Sequence, residues 1–393
     1  MKRNDARLLA VSLIFAVLGL TFALRSFSSS SDMQLIREVN ACYDDSNSVQ
    51  TCLAAVIKKL LALHEPGEVM SLLASSVTSS KCHATGHIVG QGAYMKYHDL
   101  EKAINTCTSI CGEGCIHGAS GEAFVEEAGL SPDVDPSHLN ADELKKYGTR
   151  LCTRINSCHG VGHILFQIYN DFKTPLKLCS VMATGLRRQA CYTGAMMENS
   201  DIYSTHNLLQ GTAKKRVDDP KNPRSPCDTI DIDARHACLR YLPRMKIPRL
   251  QGEIVRDIHA ADPVARICES FASIKDRTGC FEGIGFETYH LVEKDVDEAR
   301  SFCEQFSLRT DRAGCMLGMI FWATSFDEQN LTLPYCEGVT SPYERTVCYH
   351  AIFNIKQTKK AEAPALCSGY DHCMAAFSEY EKDPWSTLTG LKL

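Results

Sequence analysis

The chain has 393 residues, of which 44% are hydrophobic and 23% are charged, a composition typical of a folded protein. Its formal net charge of -5 provides no strongly basic surface, which argues against nucleic acid as a partner. The patterns HExxH, CxxC, GxSxG, the P-loop and the Rossmann glycine motif are all absent. The common signatures of hydrolases, thiol redox proteins and nucleotide-binding proteins are therefore missing, and whether the protein is an enzyme is left open.

Residues 1–31 have the pattern of a membrane segment. Three basic residues precede the apolar run Leu8–Leu24, and a serine-rich stretch follows it. A run of about this length just spans a bilayer, and it is longer than the core of most signal peptides. The basic flank predicts a short cytoplasmic end, with the bulk of the chain outside. We predict an uncleaved single-pass anchor; removal as a signal peptide, with a cut near Ala23, is the alternative.

Twenty cysteines follow this segment, an even number that suits a complete set of disulfides in an oxidising compartment such as the periplasm, the cell surface or a secretory lumen. From Cys179 onward most of them form pairs with eleven residues between the members, or ten in one pair. An arginine always stands three residues before the second cysteine, and this recurrence is an internal repeat. The pairs are Cys179–Cys191, Cys227–Cys238, Cys268–Cys280, Cys303–Cys315 and Cys336–Cys348, with Arg188, Arg235, Arg277, Arg312 and Arg345.

Each repeat has the pattern of two helices joined by a short turn. Residues 296–306 place apolar side chains at helical spacings, and Thr310-Asp311 is a helix-capping signal before a second, very apolar segment. The first cysteine is then expected near the end of the first helix and the second in the first turn of the second helix. A disulfide that closes a loop of this size stabilises the fold by about 3 kcal/mol. An acidic residue follows the first cysteine in four of the five pairs, namely Asp228, Glu269, Glu304 and Glu337. We interpret the arginine as structural, either pairing with this acid across the turn or capping carbonyl groups at the end of the first helix.

Glycine or alanine recurs three or four residues after the second cysteine, as at Gly118 and Gly318. Because glycine costs up to about 1 kcal/mol inside a helix, its recurrence predicts a close approach of helices. We therefore predict an all-α fold, an α-solenoid of about nine or ten disulfide-stapled helical hairpins preceded by the single transmembrane helix. Residues 1–31 form the cytoplasmic stub, anchor and serine linker, 32–175 the N-terminal repeats with the histidines, and 176–393 the C-terminal cysteine-paired repeats.

Four further local cysteine pairs complete the scheme and leave Cys82 and Cys111. A bond between these two would lock neighbouring repeats together, and free thiols or metal ligation are the alternatives. A zinc site of Cys107, Cys111 and Cys115 with His117 is a further alternative. The additional local pairs are Cys42–Cys52, Cys107–Cys115, Cys152–Cys158 and Cys367–Cys373.

The segment Cys107-Thr-Ser-Ile-Cys-Gly-Glu-Gly-Cys115 has seven residues between its outer cysteines and Gly-Cys at the start of the next helix. In this respect the chain resembles the cysteine-rich, Sel1-like members of the tetratricopeptide class, in which a disulfide ties each helix pair. Elsewhere eleven residues replace the seven, and the Leu-Gly and Tyr positions of Sel1 repeats are largely missing. The resemblance covers most of the chain at the level of architecture, and it implies a binding scaffold.

Two pairs of histidines stand out from the repeat pattern. His83 and His87 are four residues apart, as are His159 and His163, so each pair lies on one face of a helix. Later repeats have apolar packing residues at the same positions. Since paired histidines on one helical face commonly bind Zn, Cu, Fe or Ni, these repeats are the strongest functional candidates.

His117 lies in the repeat between the two pairs and completes the candidate cluster, with Glu122 or Glu126 as a further ligand or base. Glu122, Glu198 and Glu287 each fall seven residues after their cysteine, a recurrence that indicates a structural contact at least as much as a catalytic carboxylate. A joint site requires a tightly curled stack because the two pairs are not in adjacent repeats; otherwise there are two separate sites. In another interpretation each histidine only donates to a backbone carbonyl at a tight helix crossing.

These sequence features are compatible with two functions of different classes. The favoured one is a membrane-anchored, extracytoplasmic repeat protein that binds a transition metal (Zn, Fe or Cu) or a metal cofactor through the paired histidines. The alternative is a non-catalytic scaffold that binds a protein, peptide or glycan on its concave face.

Overall fold

The computed structural model describes residues 31–44, 49–77, 79–108, 110–129, 140–152, 155–200, 217–247, 249–250, 253–254, 257–292, 295–325, 329–356 and 358–382. Within these ranges the regular structure is helical apart from one antiparallel pair of two-residue strands, β1 (Arg249–Leu250) and β2 (Glu253–Ile254). The predicted all-α class is therefore confirmed. The predicted membrane segment, residues 8–24, lies outside the described ranges, and inside them no helix is long and apolar enough to cross a membrane.

The helices of the described ranges follow one another in pairs, as predicted for a stack of hairpins. There are ten such pairs, and in the sixth a 3-10 turn, Cys227–Thr229, replaces the first helix. In chain order the helices are α1 (31–42), α2 (Val49–Leu63), α3 (Pro66–Ala74), α4 (Ser79–Tyr97), α5 (Leu100–Thr106), α6 (Gly114–Glu127), α7 (Ala141–Leu151), α8 (Ile155–Tyr169), α9 (Lys173–Met182), α10 (Gly185–Ser200), α11 (Ile232–Lys246), α12 (Asp262–Glu269), α13 (Ile274–Leu291), α14 (Val296–Glu304), α15 (Arg309–Ser325), α16 (Gln329–Gly338), α17 (Pro342–Lys356), α18 (Ala363–Leu366) and α19 (Cys373–Lys382).

The second helices of successive pairs stack directly on one another. Helices α2, α4, α6, α8, α10, α11, α13, α15, α17 and α19 form one continuous row in which each contacts the next. The first helices flank this row, and each of α3, α5, α7, α9, α12, α14, α16 and α18 packs on the second helix that follows it. Since each unit buries its apolar face against its neighbours, this is the arrangement of a helical repeat protein.

All twenty cysteines lie in the described ranges, and each of them is in a disulfide. Nine bonds join the two members of one pair, whereas Cys82–Cys111 joins α4 to the turn before α6 and so connects neighbouring pairs. The zinc alternative that uses Cys107, Cys111 and Cys115 is wrong because all three sulfurs are bonded to other cysteines. The bonds are Cys42–Cys52, Cys82–Cys111, Cys107–Cys115, Cys152–Cys158, Cys179–Cys191, Cys227–Cys238, Cys268–Cys280, Cys303–Cys315, Cys336–Cys348 and Cys367–Cys373.

The second helices begin earlier than the sequence predicted. Helix α15 starts at Arg309, so Cys315 lies in its second turn and not in its first. In α13 the side chain of Ser273 accepts a hydrogen bond from the backbone N–H of Asp276 and caps the helix start. The acidic residues expected at the cap therefore lie inside the first turn, where the helix dipole favours a negative charge.

Three of the five recurring arginines, Arg235, Arg277 and Arg312, form ion pairs with the next repeat. Arg277 donates to the carbonyl oxygen of Glu269 at the end of α12 (2.9 Å), so the predicted capping of carbonyl groups is present. Its ion-pair partner is Asp311 in the first turn of α15, and Arg312 pairs in the same way with Glu344 in α17. The acid that follows the first cysteine is not the partner, because the next second helix brings a buried carboxylate closer to the guanidinium.

Two hydrophobic clusters form the core of the described ranges. The smaller one contains buried side chains of the first units, from Leu35 to Cys115, and the larger one extends from Ala93 to Phe377. The larger cluster includes residues on both sides of the boundary predicted at 175/176, and that boundary stays a prediction.

Candidate metal centre

Glycines determine how closely α4, α6 and α8 approach one another. A β-carbon at Gly118 on α6 would collide with the carbonyl oxygen of His87 on α4. A β-carbon at Gly160 on α8 would lie 2.7 Å from the carbonyl oxygen of His117 on α6. The close approach predicted from the recurring glycines is therefore confirmed, and it occurs at the histidines themselves.

The structure brings all five histidines together, although α4 and α8 belong to pairs that are not adjacent. The ring centroid of His117 lies 5.4 Å from those of His83 and His87, 4.5 Å from that of His159 and 6.0 Å from that of His163. His87 and His163 approach each other directly, with 5.1 Å between ring centroids. The histidines form one cluster, which meets the condition of tight helix packing that a joint site requires.

The side-chain nitrogens of the cluster form two groups of three. One group is His83, His87 and His117, the other is His117, His159 and His163, and within each group the nitrogens lie within 4.8 Å of one another. Four of the histidines are buried and His159 is half-buried. A tetrahedral ion with Zn–N bonds of about 2.0–2.1 Å needs nitrogens about 3.3 Å apart, so no pair in either group has to close by more than about 1.5 Å.

The Nδ1 atom of His83 is held by the backbone of the turn before α6. It lies 2.9 Å from the carbonyl oxygen of Cys111, and since a carbonyl only accepts, Nδ1 carries the proton and donates. Cys111, Gly112 and Glu113 all have left-handed backbone angles, with φ of 59°, 62° and 62°. This unusual turn and the Cys82–Cys111 bond direct the carbonyl toward the imidazole, which leaves the lone pair of His83 on Nε2.

Two further Nδ1 atoms are held by side chains of α10. His159 Nδ1 lies 3.1 Å from the hydroxyl of Thr193, and this hydroxyl donates its own proton to the carbonyl of Ala190. The hydroxyl therefore accepts from His159. His163 Nδ1 donates to the carboxylate of Glu198 at 2.8 Å, with both side chains buried. In metalloproteins, hydrogen-bond acceptors that contact Nδ1 of a ligand histidine set its tautomer and leave Nε2 to bind the metal.

Two imidazole nitrogens of the cluster are buried without a hydrogen-bond partner in the described part of the chain. They are Nδ1 of His117 and Nε2 of His163. A buried polar atom without a partner costs about 1–3 kcal/mol, so a ligand that occupies these lone pairs would be stabilising. The Nε2 atom of His87 donates to Nε2 of His83 at 3.1 Å, because the proton of His83 is on Nδ1, and this distance is close to the separation expected of two ligands on one ion.

The buried position of the cluster keeps its central imidazoles neutral at neutral pH. Burial, and then the neighbouring His159, His83 and His163, hold the pKa of His117 well below its ordinary value. Burial and His163 likewise lower the pKa of His159, and Arg240 is one of the smaller contributors. Neutral imidazoles retain the lone pair that a metal requires.

Glu122 is not in either histidine group of the described chain. It is half-buried on α6, where burial and the neighbouring Glu126 raise its pKa. Glu198 and Glu287, which share its repeat position, are fully buried, and each contacts a basic side chain of the preceding second helix. For Glu198 this is His163, and for Glu287 it is Arg244 at 3.8 Å. In these two repeats the recurring carboxylate makes a structural contact.

Glu198 is the functional residue that sequence reasoning did not connect with the histidines. The signal was present in the repeat alignment, because His163 stands five residues after Cys158 and Glu198 seven residues after the second cysteine of the next repeat. Thr193 lacked any such signal, since a threonine two residues after Cys191 fits many surface or core positions.

No protein-family model, no curated protein and no solved structure matches this chain. The Sel1-like resemblance therefore stays an interpretation of the helical repeat architecture, and the function has to be inferred from the chemistry of the histidine cluster.

Proposed function

We propose that this chain is an extracytoplasmic helical-repeat protein that binds a transition metal through its histidine cluster. The observation that supports this most is the hydrogen bonding of the imidazoles. Three of the five have Nδ1 held by an outer acceptor, while a buried nitrogen of His163 and one of His117 have no partner in the described chain. This is the pattern of metal ligands with their supporting contacts already in place. The ligands are His83, His87, His117, His159 and His163.

The ligand chemistry favours zinc, copper or iron. Imidazole nitrogens suit these ions, whereas magnesium and calcium prefer oxygen ligands. Thiolate ligands are excluded because every cysteine is in a disulfide. Each group supplies three nitrogens, and an ion with three protein ligands keeps a position for water or a small molecule, unlike a closed structural zinc site. The half-buried His159 makes the second group the one nearer to solvent.

The disulfides support the proposed extracytoplasmic location. Ten intrachain bonds are typical of an oxidising, extracytoplasmic location. We further propose that residues 8–24 anchor the protein in a membrane, as their composition predicts.

Metal analysis of the purified full chain tests this function. After removal of metal with a chelator and reloading, we expect stoichiometric metal in the wild type and less bound metal in the His83→Ala/His87→Ala and His159→Ala/His163→Ala variants. His350→Ala is the matched control, because His350 is buried on α17 at the repeat position of His117 and lies 2.9 Å from the carbonyl of Ala376. A folded wild type that binds no transition metal would contradict the proposal and favour the scaffold for a protein, peptide or glycan.

A further inference from the structure

We propose that the histidine cluster holds two metal ions at the same time, with His117 as the ligand that both ions share. This inference rests on the proposed metal-binding function. It adds the number of ions and a distinct role for one residue, and both can be tested separately from metal binding itself.

The arrangement of the ligand nitrogens has two centres. Each group of three consists of one histidine pair, His83/His87 or His159/His163, together with His117. Among the described residues no group combines nitrogens of both pairs. A zinc-like ion takes about four ligands, so one ion cannot use five imidazoles that are spread over two centres. Two ions use all five.

His117 differs from His83, His159 and His163 in the way that a shared ligand requires. In His83, His159 and His163 the Nδ1 atom is occupied by a carbonyl, a hydroxyl or a carboxylate, so each of these rings can offer only Nε2. The Nδ1 atom of His117 has no hydrogen-bond partner in the described chain, although the residue is only 5% exposed. Both of its ring nitrogens are therefore available for coordination.

The helix stack places the His117 ring between the two pairs. Helix α6 contacts α4 on one side and α8 on the other. The ring centroid of His117 lies 5.4 Å from both members of the first pair and 4.5 Å from the nearer member of the second. An imidazole carries its two nitrogens on different edges of the ring, so one ring can serve an ion on each side.

Sharing His117 has a defined proton balance. The neutral ring carries one proton, and when both nitrogens coordinate, this proton passes to the buffer and the ring becomes an imidazolate anion. No electron transfer is involved. The negative charge between the two cations offsets part of their repulsion, which two ions with only neutral ligands would experience in full.

Calorimetric titration of the metal-free full chain with Zn²⁺, combined with elemental analysis, tests the inference. We expect two ions per chain, and titrations in buffers of different protonation enthalpy should show the release of one ring proton with the second ion. One ion per chain would overturn this inference and leave the proposed metal-binding function intact. No bound ion would overturn both.

Variants separate a shared ligand from two independent sites. Removing either pair, by His83→Ala/His87→Ala or His159→Ala/His163→Ala, should leave one ion, whereas His117→Ala should weaken both ions by about 100-fold or more, since even supporting residues contribute 10–100-fold. If His117→Ala does not fold, His117→Gln keeps a polar side chain there and serves instead. A change at His117 that weakens only one ion would overturn the inference, and the control His350→Ala should bind two.

Discussion

The Nδ1 atom of His163 lies 2.8 Å from Oε2 of Glu198, and the side chains of both residues are only 1% exposed. The two residues lie on α8 and α10, the second helices of consecutive pairs, so the stacking of the repeats creates the contact. A carboxylate that accepts from Nδ1 fixes the tautomer of the imidazole and raises its basicity at Nε2. The same contact that joins two repeats therefore sets the tautomer of His163, one of the proposed metal ligands.

Replacing Glu198 by glutamine should weaken metal binding without unfolding the protein. The amide oxygen of Glu198→Gln still accepts a hydrogen bond from His163, but the negative charge that strengthens the ligand is lost. We expect a decrease of about 10–100-fold in the metal affinity of the group that contains His163. Calorimetric titration with Zn²⁺ measures this decrease, and circular dichroism checks the fold.

Glu287→Gln is the matched control for this variant. Glu287 has the same repeat position, is fully buried on α13 and pairs with Arg244. Because breaking a buried ion pair costs about 3–5 kcal/mol, this variant should lower the free energy of unfolding and leave the metal affinity unchanged. Equal metal affinities of the Glu198→Gln variant and the wild type would contradict the role assigned to Glu198.

The repeat architecture and the five clustered histidines could be predicted because their spacings are visible in the sequence. Cysteines and glycines mark the same positions in each repeat, and the spacing of four between His83 and His87 places both on one helical face. Whether His83 and His87 approach His159 and His163 depends on the distance between the helices. Gly118 indicates this distance only indirectly.

The supporting contacts could not be predicted because they depend on how one helix is rotated against the next. The carbonyl of Cys111 contacts His83, yet every residue has a carbonyl, so no residue type marks this contact. Arg277 had acids available in its own repeat and in the next one, and only the stacking of α13 on α15 selects Asp311.

Adding a methyl group at Gly118 should disrupt the histidine cluster. The β-carbon of Gly118→Ala would collide with the carbonyl oxygen of His87, so α4 and α6 have to move apart. Overpacking of this kind costs about 1–3 kcal/mol. We expect a loss of unfolding free energy of this size in urea denaturation, together with weaker metal binding at the group of His83, His87 and His117, because His117 moves away from the other two.

Gly318→Ala is a control for the effect of overpacking alone. Gly318 lies three residues after Cys315, as Gly118 does after Cys115, and its β-carbon would collide with the carbonyl oxygen of Glu282, far from the histidines in sequence. The two variants should lose similar stability, but only Gly118→Ala should lose metal affinity. A similar loss of affinity in both would mean that general destabilisation, and not the approach of α4 and α6, controls the site.

The buried ion pairs of α11 and α13 should make the stack sensitive to acid. Burial raises the pKa of Glu282, but the charges of Arg240 and His236, with which it pairs, outweigh burial and lower the pKa to about 2. Since the pKa is lower in the folded than in the unfolded protein, the ionised carboxylate stabilises the fold above the ordinary value of about 4.5, and this stabilisation disappears as the pH falls toward 2. A difference of about 2.5 pKa units corresponds to about 3 kcal/mol.

Urea denaturation of the wild type and Glu282→Gln at several pH values checks this prediction. At pH 7 the free energy of unfolding of the variant should be lower than that of the wild type by about 3 kcal/mol. By pH 3 about half of this difference should be gone. The reason is that the wild-type protein loses stability in acid, whereas the variant has no carboxylate to protonate at this position. In the double variant Arg240→Gln/Glu282→Gln no charge of this pair remains, so its stability should vary less with pH between 5 and 3 than that of the wild type. A difference in the free energy of unfolding between the wild type and Glu282→Gln that stays constant from pH 5 to pH 3 would show that the Glu282 carboxylate does not account for the acid sensitivity.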